Sequence, residues 1–179
     1  MNKKLFISAE QLEKDAWQFA LQLYKEKIDF DWIVGVTRGG AQISIYIQEA
    51  LSLLCHKKIK YSIIQAQSYS AIGKAGGVVL GNIDPLVLQM TDNNKVLVID
   101  DVFDRGRTLA EVKKCLEFRL ASFETKLFLG ALYYKPENSE VSIFPDFYYQ
   151  KVKSSDWLVF PHELCGLSLD ERKAKGFPL

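Results

Sequence analysis

The most informative stretch of the chain is Val96–Leu109, V-L-V-I-D-D-V-F-D-R-G-R-T-L. Its four apolar residues run straight into Asp100 and Asp101, and Asp104 follows before a glycine turn and a helical pattern. An uninterrupted apolar run predicts a strand that is buried on both faces, as in a parallel sheet. Because ligands of such sheets bind just beyond the carboxyl ends of the strands, we expect the three carboxylates at a ligand site.

The turn after Asp104 has the properties of a phosphate-binding loop. It consists of Arg105, Gly106, Arg107 and Thr108. A helix start presents unpaired N–H groups with partial positive charge, and glycine allows a ligand to approach closely. The neighbouring acids would repel a bare polyanion, so we expect them to bind sugar hydroxyls or a hard cation such as Mg²⁺. The alternative is an acidic turn in which Asp104 or Thr108 simply caps the helix.

A second strand, glycine turn and helix start occupies Val34–Gly40. The backbone N–H groups of Arg38, Gly39 and Gly40 can form an anion nest. The Arg38 guanidinium can add donors to a diphosphate. A structural turn explains this segment equally well by itself. Paired with Val96–Leu109, it predicts a ligand that carries an anionic group at each end.

Length and composition limit the function classes. The chain has 179 residues, enough for one α/β domain, so we expect a single domain over 1–179. A net charge of +1 gives no case for a nucleic acid or an anionic membrane as partner. Three widely spaced cysteines without a C-x-x-C pattern indicate reduced thiols in the cytoplasm. No apolar run approaches membrane-spanning length.

Apolar periodicity predicts an alternation of helices and strands, which favours βαβ units in a mostly parallel sheet. A capping-box signal at Ser8 opens a helix to about Lys27. Strands are expected over 32–36, 58–65, 96–99, 126–134, 147–149 and 157–160, and helices over 41–54, 108–121 and 169–175. The glycine-rich stretch 68–82 is expected to form a mobile loop or a hairpin.

The Val96–Leu109 stretch resembles the phosphoribosyl-pyrophosphate-binding signature of type I phosphoribosyltransferases: an apolar strand, two acids, two apolar residues, then D-T-G-x-T. The matching positions are Asp100, Asp101, Asp104, Gly106 and Thr108. Arg105 departs from the pattern, because the family usually has a small hydroxyl residue there that helps hold the 5′-phosphate.

The segment Thr37–Gly40 is similar to the pyrophosphate loop of purine phosphoribosyltransferases, in which a non-proline cis peptide often occurs near this arginine. Ser68 and Tyr69 are similar to the pair that begins a flexible lid in many members, although a surface hairpin explains them equally well. The string Ala131–Pro136 resembles the base-selecting segment of xanthine-guanine phosphoribosyltransferases. This implies that Lys135 donates to O6 of a 6-oxopurine.

The segment Asp156–Glu163 is similar to the W-[IL]-x-x-P-W-[DE] segment of the same enzymes. The similarity implies that the purine stacks on Trp157 and that main-chain carbonyls of Leu158 and Glu163 read its 2-position. His162 replaces the usual second tryptophan. Taken alone, Trp157 is explained as a core residue.

The resemblance covers 32–163 and implies a type I phosphoribosyltransferase fold, with a central mostly parallel sheet, flanking helices and a small hood from the terminal segments. The implied reaction moves ribose 5-phosphate from phosphoribosyl pyrophosphate to N9 of a 6-oxopurine and releases pyrophosphate, as in purine salvage. The resemblance implies that Asp104, Asp100 and Asp101 are the catalytic residues. Asp104 would accept the purine proton near N7. Asp100 and Asp101 would hold ribose hydroxyls and a substrate-shared Mg²⁺, and stabilise positive charge on the ribose.

The candidate binding residues for phosphoribosyl pyrophosphate are Thr37, Arg38, Gly39, Ser68, Tyr69, Asp100, Asp101, Asp104, Arg105, Gly106, Arg107 and Thr108. The family commonly forms dimers or tetramers, so a homo-oligomer is expected. Xanthine, guanine and hypoxanthine are not ranked by the motifs. Two alternatives stay open: a nucleotide-sensing regulator that binds RNA or DNA, which the near-neutral charge disfavours, and an impaired homologue marked by Arg105.

Overall fold

The computed structural model describes residues 3–68 and 77–177. The strands are β1 Lys4–Phe6, β2 Trp32–Thr37, β3 Lys60–Ser68, β4 Val78–Gly81, β5 Lys95–Phe103, β6 Lys126–Tyr134, β7 Phe147–Lys151 and β8 Trp157–Val159. The helices are α1 Ala9–Lys25, α2 Gly39–Leu54, α3 Asp84–Val87, α4 Arg107–Arg119 and α5 Leu169–Ala174, with a 3₁₀ turn over Pro136–Asn138. None of the helices in these ranges has the length and apolarity that a membrane crossing requires.

The central sheet has the strand order β4-β3-β2-β5-β6-β7. All neighbours pair in parallel except β4, which is antiparallel to β3. From β2 the chain proceeds to β3 on one side, whereas β5, β6 and β7 extend on the other. The order therefore reverses between β2 and β5, and ligands of open α/β sheets bind at such a switch point. The α/β architecture with a mostly parallel sheet is as predicted.

The apolar run at the start of β5 is buried on both faces of the sheet. Leu97 and Ile99 belong to the core under α1 and α2, whereas Val96 and Val98 belong to the core under α4. All four side chains are fully buried. Successive side chains of a strand point to opposite faces, so a strand between two helical layers needs apolar residues at every position.

Several predicted boundaries were wrong. β5 continues past Ile99 to Phe103, because it pairs with β6 as far as the Phe103–Tyr134 register. Asp100 and Asp101 therefore lie within the last part of the strand, and only Asp104 lies beyond it. The observed ranges are Gly39–Leu54 for the helix expected over 41–54, Arg107–Arg119 for that expected over 108–121, and Lys60–Ser68 for the strand expected over 58–65.

The sequence reading missed β1 and α3, which have three and four residues. β1 pairs in parallel with β8, in a register that sets Lys4 opposite Trp157. Within the glycine-rich stretch, 69–76 lies outside the described residues, so the expected mobile loop stays a prediction. Its last part forms β4, which pairs antiparallel with β3 as in a hairpin.

Candidate active site

The first glycine turn lies against the acidic end of β5 at the switch point. Gly39 and Gly40 begin α2 against the end of β5. A Cβ atom on Gly40 would lie 2.8 Å from the Cα atom of Asp100, and one on Gly39 would lie 2.9 Å from Oδ1 of Asp101. Both distances are shorter than real Cβ atoms tolerate. The first loop can approach Asp100 and Asp101 this closely because both of its residues there are glycines.

The first loop has the features of an anion site, with one difference from the prediction. The Thr37–Arg38 peptide bond is cis, as the resemblance implied. Arg38 precedes α2 and makes no side-chain cap to it. The N–H group of Gly40, however, interacts with the Asp100 carboxylate. Of the three N–H groups expected to bind an anion, the Gly40 N–H therefore interacts with a carboxylate of the protein itself.

The second loop begins α4 without a side-chain cap. Gly106 occupies the N-cap position with φ of 78°, a left-handed conformation that glycine adopts without steric cost. The alternative in which Asp104 or Thr108 caps this helix is therefore wrong. The first N–H groups of α4 have no side-chain cap within the described part of the chain, which is the condition for anion binding at a helix start.

Both arginines of the second loop pair with Glu140. The Nε atom of Arg105 lies 3.5 Å from Oε1 of Glu140, and Arg107 forms an ion pair with the other carboxylate oxygen. The Glu140 N–H also donates to the main-chain carbonyl of Arg105 at 3.0 Å. A phosphate at this loop would compete with Glu140 for the guanidinium groups. Glu140 was not predicted from the sequence, because a lone acid in a connecting segment follows no pattern.

Asp100 and Asp101 form a half-buried acidic pair at the end of β5. Burial, followed by repulsion from Asp101, raises the pKa of Asp100 well above its ordinary value. Burial also raises the pKa of Asp101 to about 6, with a further contribution from the charge of Glu163. Backbone N–H groups offset part of this effect, since Val102 donates to Oδ1 of Asp101 at 2.7 Å.

The acidic pair has the donor chemistry for Mg²⁺ shared with a substrate. Among the ion pairs of residues 3–68 and 77–177, none neutralises Asp100 or Asp101. A divalent cation would relieve their repulsion, and carboxylate oxygens are the ligands it prefers. The same ranges contain no cluster of three or more His, Cys, Asp or Glu side chains able to hold a metal.

Asp104 and Lys135 contact each other directly. The Lys135 ammonium, whose residue is only 6% exposed, donates to Oδ2 of Asp104 at 3.0 Å. The side-chain amide of Asn138 donates to Oδ1 of the same carboxylate at 2.7 Å. The candidate proton acceptor and the candidate O6 contact are thus side by side. The sequence did not indicate Asn138, because a single amide in a 3₁₀ turn has no distinguishing pattern.

This pair lines a pocket of about 360 Å³ beside the second loop. Its walls are formed by Asp104, Arg105, Lys135, Asn138, Glu140, Ser154, Asp156 and Trp157. Trp157 is 45% exposed, so the explanation of this indole as a core residue is wrong. The Lys4 ammonium lies 4.8 Å from the centroid of the ring. A planar base that stacks on the indole would use the opposite face.

The segment that follows Trp157 reaches the acids and the first loop. Leu158 is buried in β8, and Glu163 is near enough to Asp101 for its charge to raise the pKa of that acid. His162 stacks on Phe160 with ring centroids 5.8 Å apart and lines a shallow depression with Arg38. Of the predicted lid pair, Ser68 ends β3, and Tyr69 lies outside the described residues.

A model of the phosphoribosyl transferase domain family matches residues 8–168. The chain belongs to the phosphoribosyltransferase family. It is 27% identical over 161 residues to the xanthine-guanine phosphoribosyltransferase of Gluconobacter oxydans, a match that covers 90% of this chain and 85% of the relative. The family resemblance inferred from the motifs is thus confirmed.

Two solved structures share the fold of this phosphoribosyltransferase. The purine phosphoribosyltransferase from Pyrococcus horikoshii superposes with a TM-score of 0.69 at 23% identity, over 94% of this chain and 99% of the other. A hypothetical protein from Neisseria gonorrhoeae with bound ppGpp gives a TM-score of 0.75 at 17% identity, over 99% and 97%. At these identities the likeness establishes the type I phosphoribosyltransferase fold, as predicted.

The raised pKa of Asp101 makes the stability of this phosphoribosyltransferase depend on pH. The folded protein binds a proton more tightly than the unfolded chain between pH 3.8 and about 6, so the free energy of unfolding falls as pH rises through that window. Asp101→Asn removes the charge. We expect the variant to be more stable at pH 8 by about 2–3 kcal/mol and to lose this advantage near pH 3.5.

Calorimetric melting temperatures at the two pH values measure this effect. Glu13→Gln, at an exposed position on α1, is the matched control and should leave the melting temperature unchanged. A melting temperature of Asp101→Asn at pH 8 equal to or below that of the parent protein would contradict the assignment.

Proposed function

We propose that this phosphoribosyltransferase transfers ribose 5-phosphate from phosphoribosyl pyrophosphate to N9 of a 6-oxopurine, with release of pyrophosphate, in purine salvage. One observation carries the proposal: the Asp104–Lys135 pair, 3.0 Å apart, lines a pocket together with an exposed indole. N7 and O6 lie on the same edge of a 6-oxopurine. A carboxylate and an ammonium side by side match that edge.

The charge of Lys135 selects the class of base. An ammonium has only N–H donors, so it can donate to a 6-oxo oxygen but gains nothing from the 6-amino group of adenine. Asp104 takes the proton that the base loses near N7 when N9 forms its bond to the ribose. Trp157 provides a flat apolar face for the ring. Xanthine, guanine and hypoxanthine all fit this description.

The two glycine loops hold opposite ends of phosphoribosyl pyrophosphate. The diphosphate binds at Thr37, Arg38 and Gly39, and the 5′-phosphate binds at 105–108. Backbone N–H groups there compensate for the side-chain hydroxyl that is lost because Arg105 replaces the family's usual residue. Ser68 and Tyr69 begin the segment that covers the substrate and excludes water. The close approach of Gly39 to Asp101 supports this arrangement, because it brings the first loop to the end of β5, the strand that leads into the second loop.

Asp100 and Asp101 bind the ribose hydroxyls and stabilise the positive charge that develops on the ribose as the diphosphate leaves. This charge exists in the transition state and not in the ground state, so the interaction accelerates the reaction instead of merely tightening binding. Asp100 and Asp101 would hold Mg²⁺, which would supply charge neutralisation for the departing diphosphate. The mutual repulsion of the two carboxylates supports a cation at this place.

The whole chain, 1–179, acts as one domain in the cytoplasm, and β1, β8 and α5 form its hood. The parallel pairing of β1 with β8 supports the hood, because it joins the two terminal segments beside Trp157. The domain works as a homo-oligomer, a dimer or a tetramer. Partly exposed apolar side chains on α1 and α2, such as Trp17 and Leu53, offer surface for such an assembly.

The test is product formation from purified protein, Mg²⁺ and phosphoribosyl pyrophosphate with xanthine, guanine or hypoxanthine, and with adenine as the control base. Nucleotide formation is measured by chromatography. We expect nucleotide from at least one 6-oxopurine and none from adenine. Absence of nucleotide with every base contradicts the proposal. Salt-dependent retention of RNA or DNA on filters would instead favour a nucleotide-sensing regulator.

A further inference from the structure

The C-terminal helix α5 delivers an ammonium group to the segment proposed to read the purine. α5 begins with a capping box in which Ser168 and Glu171 exchange hydrogen bonds, and Lys175 stands at its C-cap. The Lys175 ammonium donates to the main-chain carbonyl of Phe160 at 2.7 Å and to that of Glu163 at 2.8 Å. A half-buried positive charge thus lies on two carbonyls of one turn.

This turn lies beside the ribose-binding acids. Glu163 accepts the Phe160 N–H with its carboxylate at 3.0 Å, and its charge contributes to the raised pKa of Asp101. The turn follows directly on β8, whose first residue, Trp157, lines the pocket of the Asp104–Lys135 pair. The Lys175 ammonium is therefore attached to the segment that connects β8 with Glu163.

We propose that Lys175 is a specificity-determining residue that favours a purine with an oxygen at C2 over one with an amino group there. The inference rests on the proposed function, together with the role that the resemblance implies for the main-chain carbonyls of Leu158 and Glu163 at the purine 2-position. A carbonyl that already accepts from an ammonium is a poorer acceptor for the 2-amino group of guanine. The positive charge also opposes the partial positive charge of the amino hydrogens.

A 2-oxo group has the opposite polarity. An ammonium has three N–H donors, and two of them go to Phe160 and Glu163. Within residues 3–68 and 77–177, the third has no hydrogen-bond partner and suits the 2-oxygen of xanthine. Hypoxanthine carries only a C–H group at this position. It neither donates nor accepts a strong hydrogen bond there, so it serves as the internal reference.

α5 has a second attachment that does not depend on Lys175. Both carboxylate oxygens of Glu171 accept from the Lys4 ammonium, at 2.8 and 2.9 Å, and Lys4 lies over the Trp157 ring. Replacing Lys175 by methionine keeps most of the length of the side chain and removes the charge. The variant Lys175→Met should therefore retain its helix while losing the ammonium.

The experiment compares kcat/KM for xanthine, guanine and hypoxanthine in the parent protein, Lys175→Met and Lys175→Arg. We expect Lys175→Met to lower the xanthine-to-guanine ratio by about 10-fold or more, as for loss of a hydrogen bond to a charged group. The value for hypoxanthine and the KM for phosphoribosyl pyrophosphate should stay within about 3-fold. Lys175→Arg should retain most of the preference, because it keeps the charge.

Calorimetric binding of the xanthine and guanine nucleotides to the same variants gives a readout that does not depend on turnover, and a similar fall in the ratio of the two affinities is expected. An unchanged xanthine-to-guanine ratio in a folded Lys175→Met protein would overturn the inference. Equal losses with all three bases would overturn it as well, since they indicate a purely structural role for α5. A parent protein that converts none of the bases contradicts the proposed function, and the inference falls with it.

Discussion

Replacing Asp104 by asparagine is expected to lower kcat by about 10²–10⁴-fold, the usual contribution of a positioned acid–base group. Asparagine keeps the shape of the side chain and can still accept the hydrogen bond from Asn138. Its amide cannot take up the proton that the purine loses. The fold should persist, because Asp104 lies beyond the end of β5 and is part of the pocket wall, not of the core.

The measurement is steady-state turnover at saturating phosphoribosyl pyrophosphate and base, with the melting temperature recorded in parallel. Asp92→Asn is the matched control, because Asp92 accepts only a long hydrogen bond from the Glu124 N–H, at 3.3 Å, which asparagine can also accept. The control should retain full turnover. An Asp104→Asn protein within about 3-fold of the parent would exclude the proton-accepting role.

The second large effect is expected for Gly40→Ala, which should lower the free energy of unfolding by about 1–3 kcal/mol or more. The added Cβ atom would press on the main chain of β5 at the carbonyl of Ile99 and the Cα atom of Asp100. β5 cannot move away easily, because it pairs with β2 on one side and with β6 on the other. The substitution should also weaken binding of phosphoribosyl pyrophosphate, since it moves the first loop away from the acidic end of β5.

Gly39→Ala makes an informative contrast. Its Cβ atom would meet the Asp101 carboxylate, a side chain that can rotate, so activity should fall more than stability. Gly77→Ala is the control, because a Cβ atom there meets no atom of the described residues within 4 Å. Thermal melts and substrate titrations of the three variants decide the matter. If Gly40→Ala melts at the same temperature as Gly77→Ala, the close approach of the first loop to β5 is not a structural requirement.

The sequence was most informative where burial imposes a pattern. Val96 and Val98 face one core and Leu97 and Ile99 the other, so the continuous apolar run revealed the central strand. The same signal ended at the first acid, although the strand continues. Pairing of β5 with β6 depends on backbone hydrogen bonds, which polar residues make equally well, so periodicity could not locate the true end.

The site was predictable in its separate loops but not in their contacts. Glycines, acids and arginines at fixed spacing predicted both loops as candidate anion sites. That Gly39 touches Asp101, or that Glu140 pairs with the arginines of the second loop, depends on tertiary structure. The position of Lys4 over Trp157 follows from the β1–β8 register, and a strand of three residues is too short to show a period.

The most direct test of two loops that clasp one ligand is a calorimetric titration of the protein with phosphoribosyl pyrophosphate in the presence of Mg²⁺. We predict one molecule bound per chain, with affinity that falls when the cation is chelated and falls again in Gly39→Ala. Absence of binding at millimolar ligand, with the protein folded and Mg²⁺ present, would contradict it.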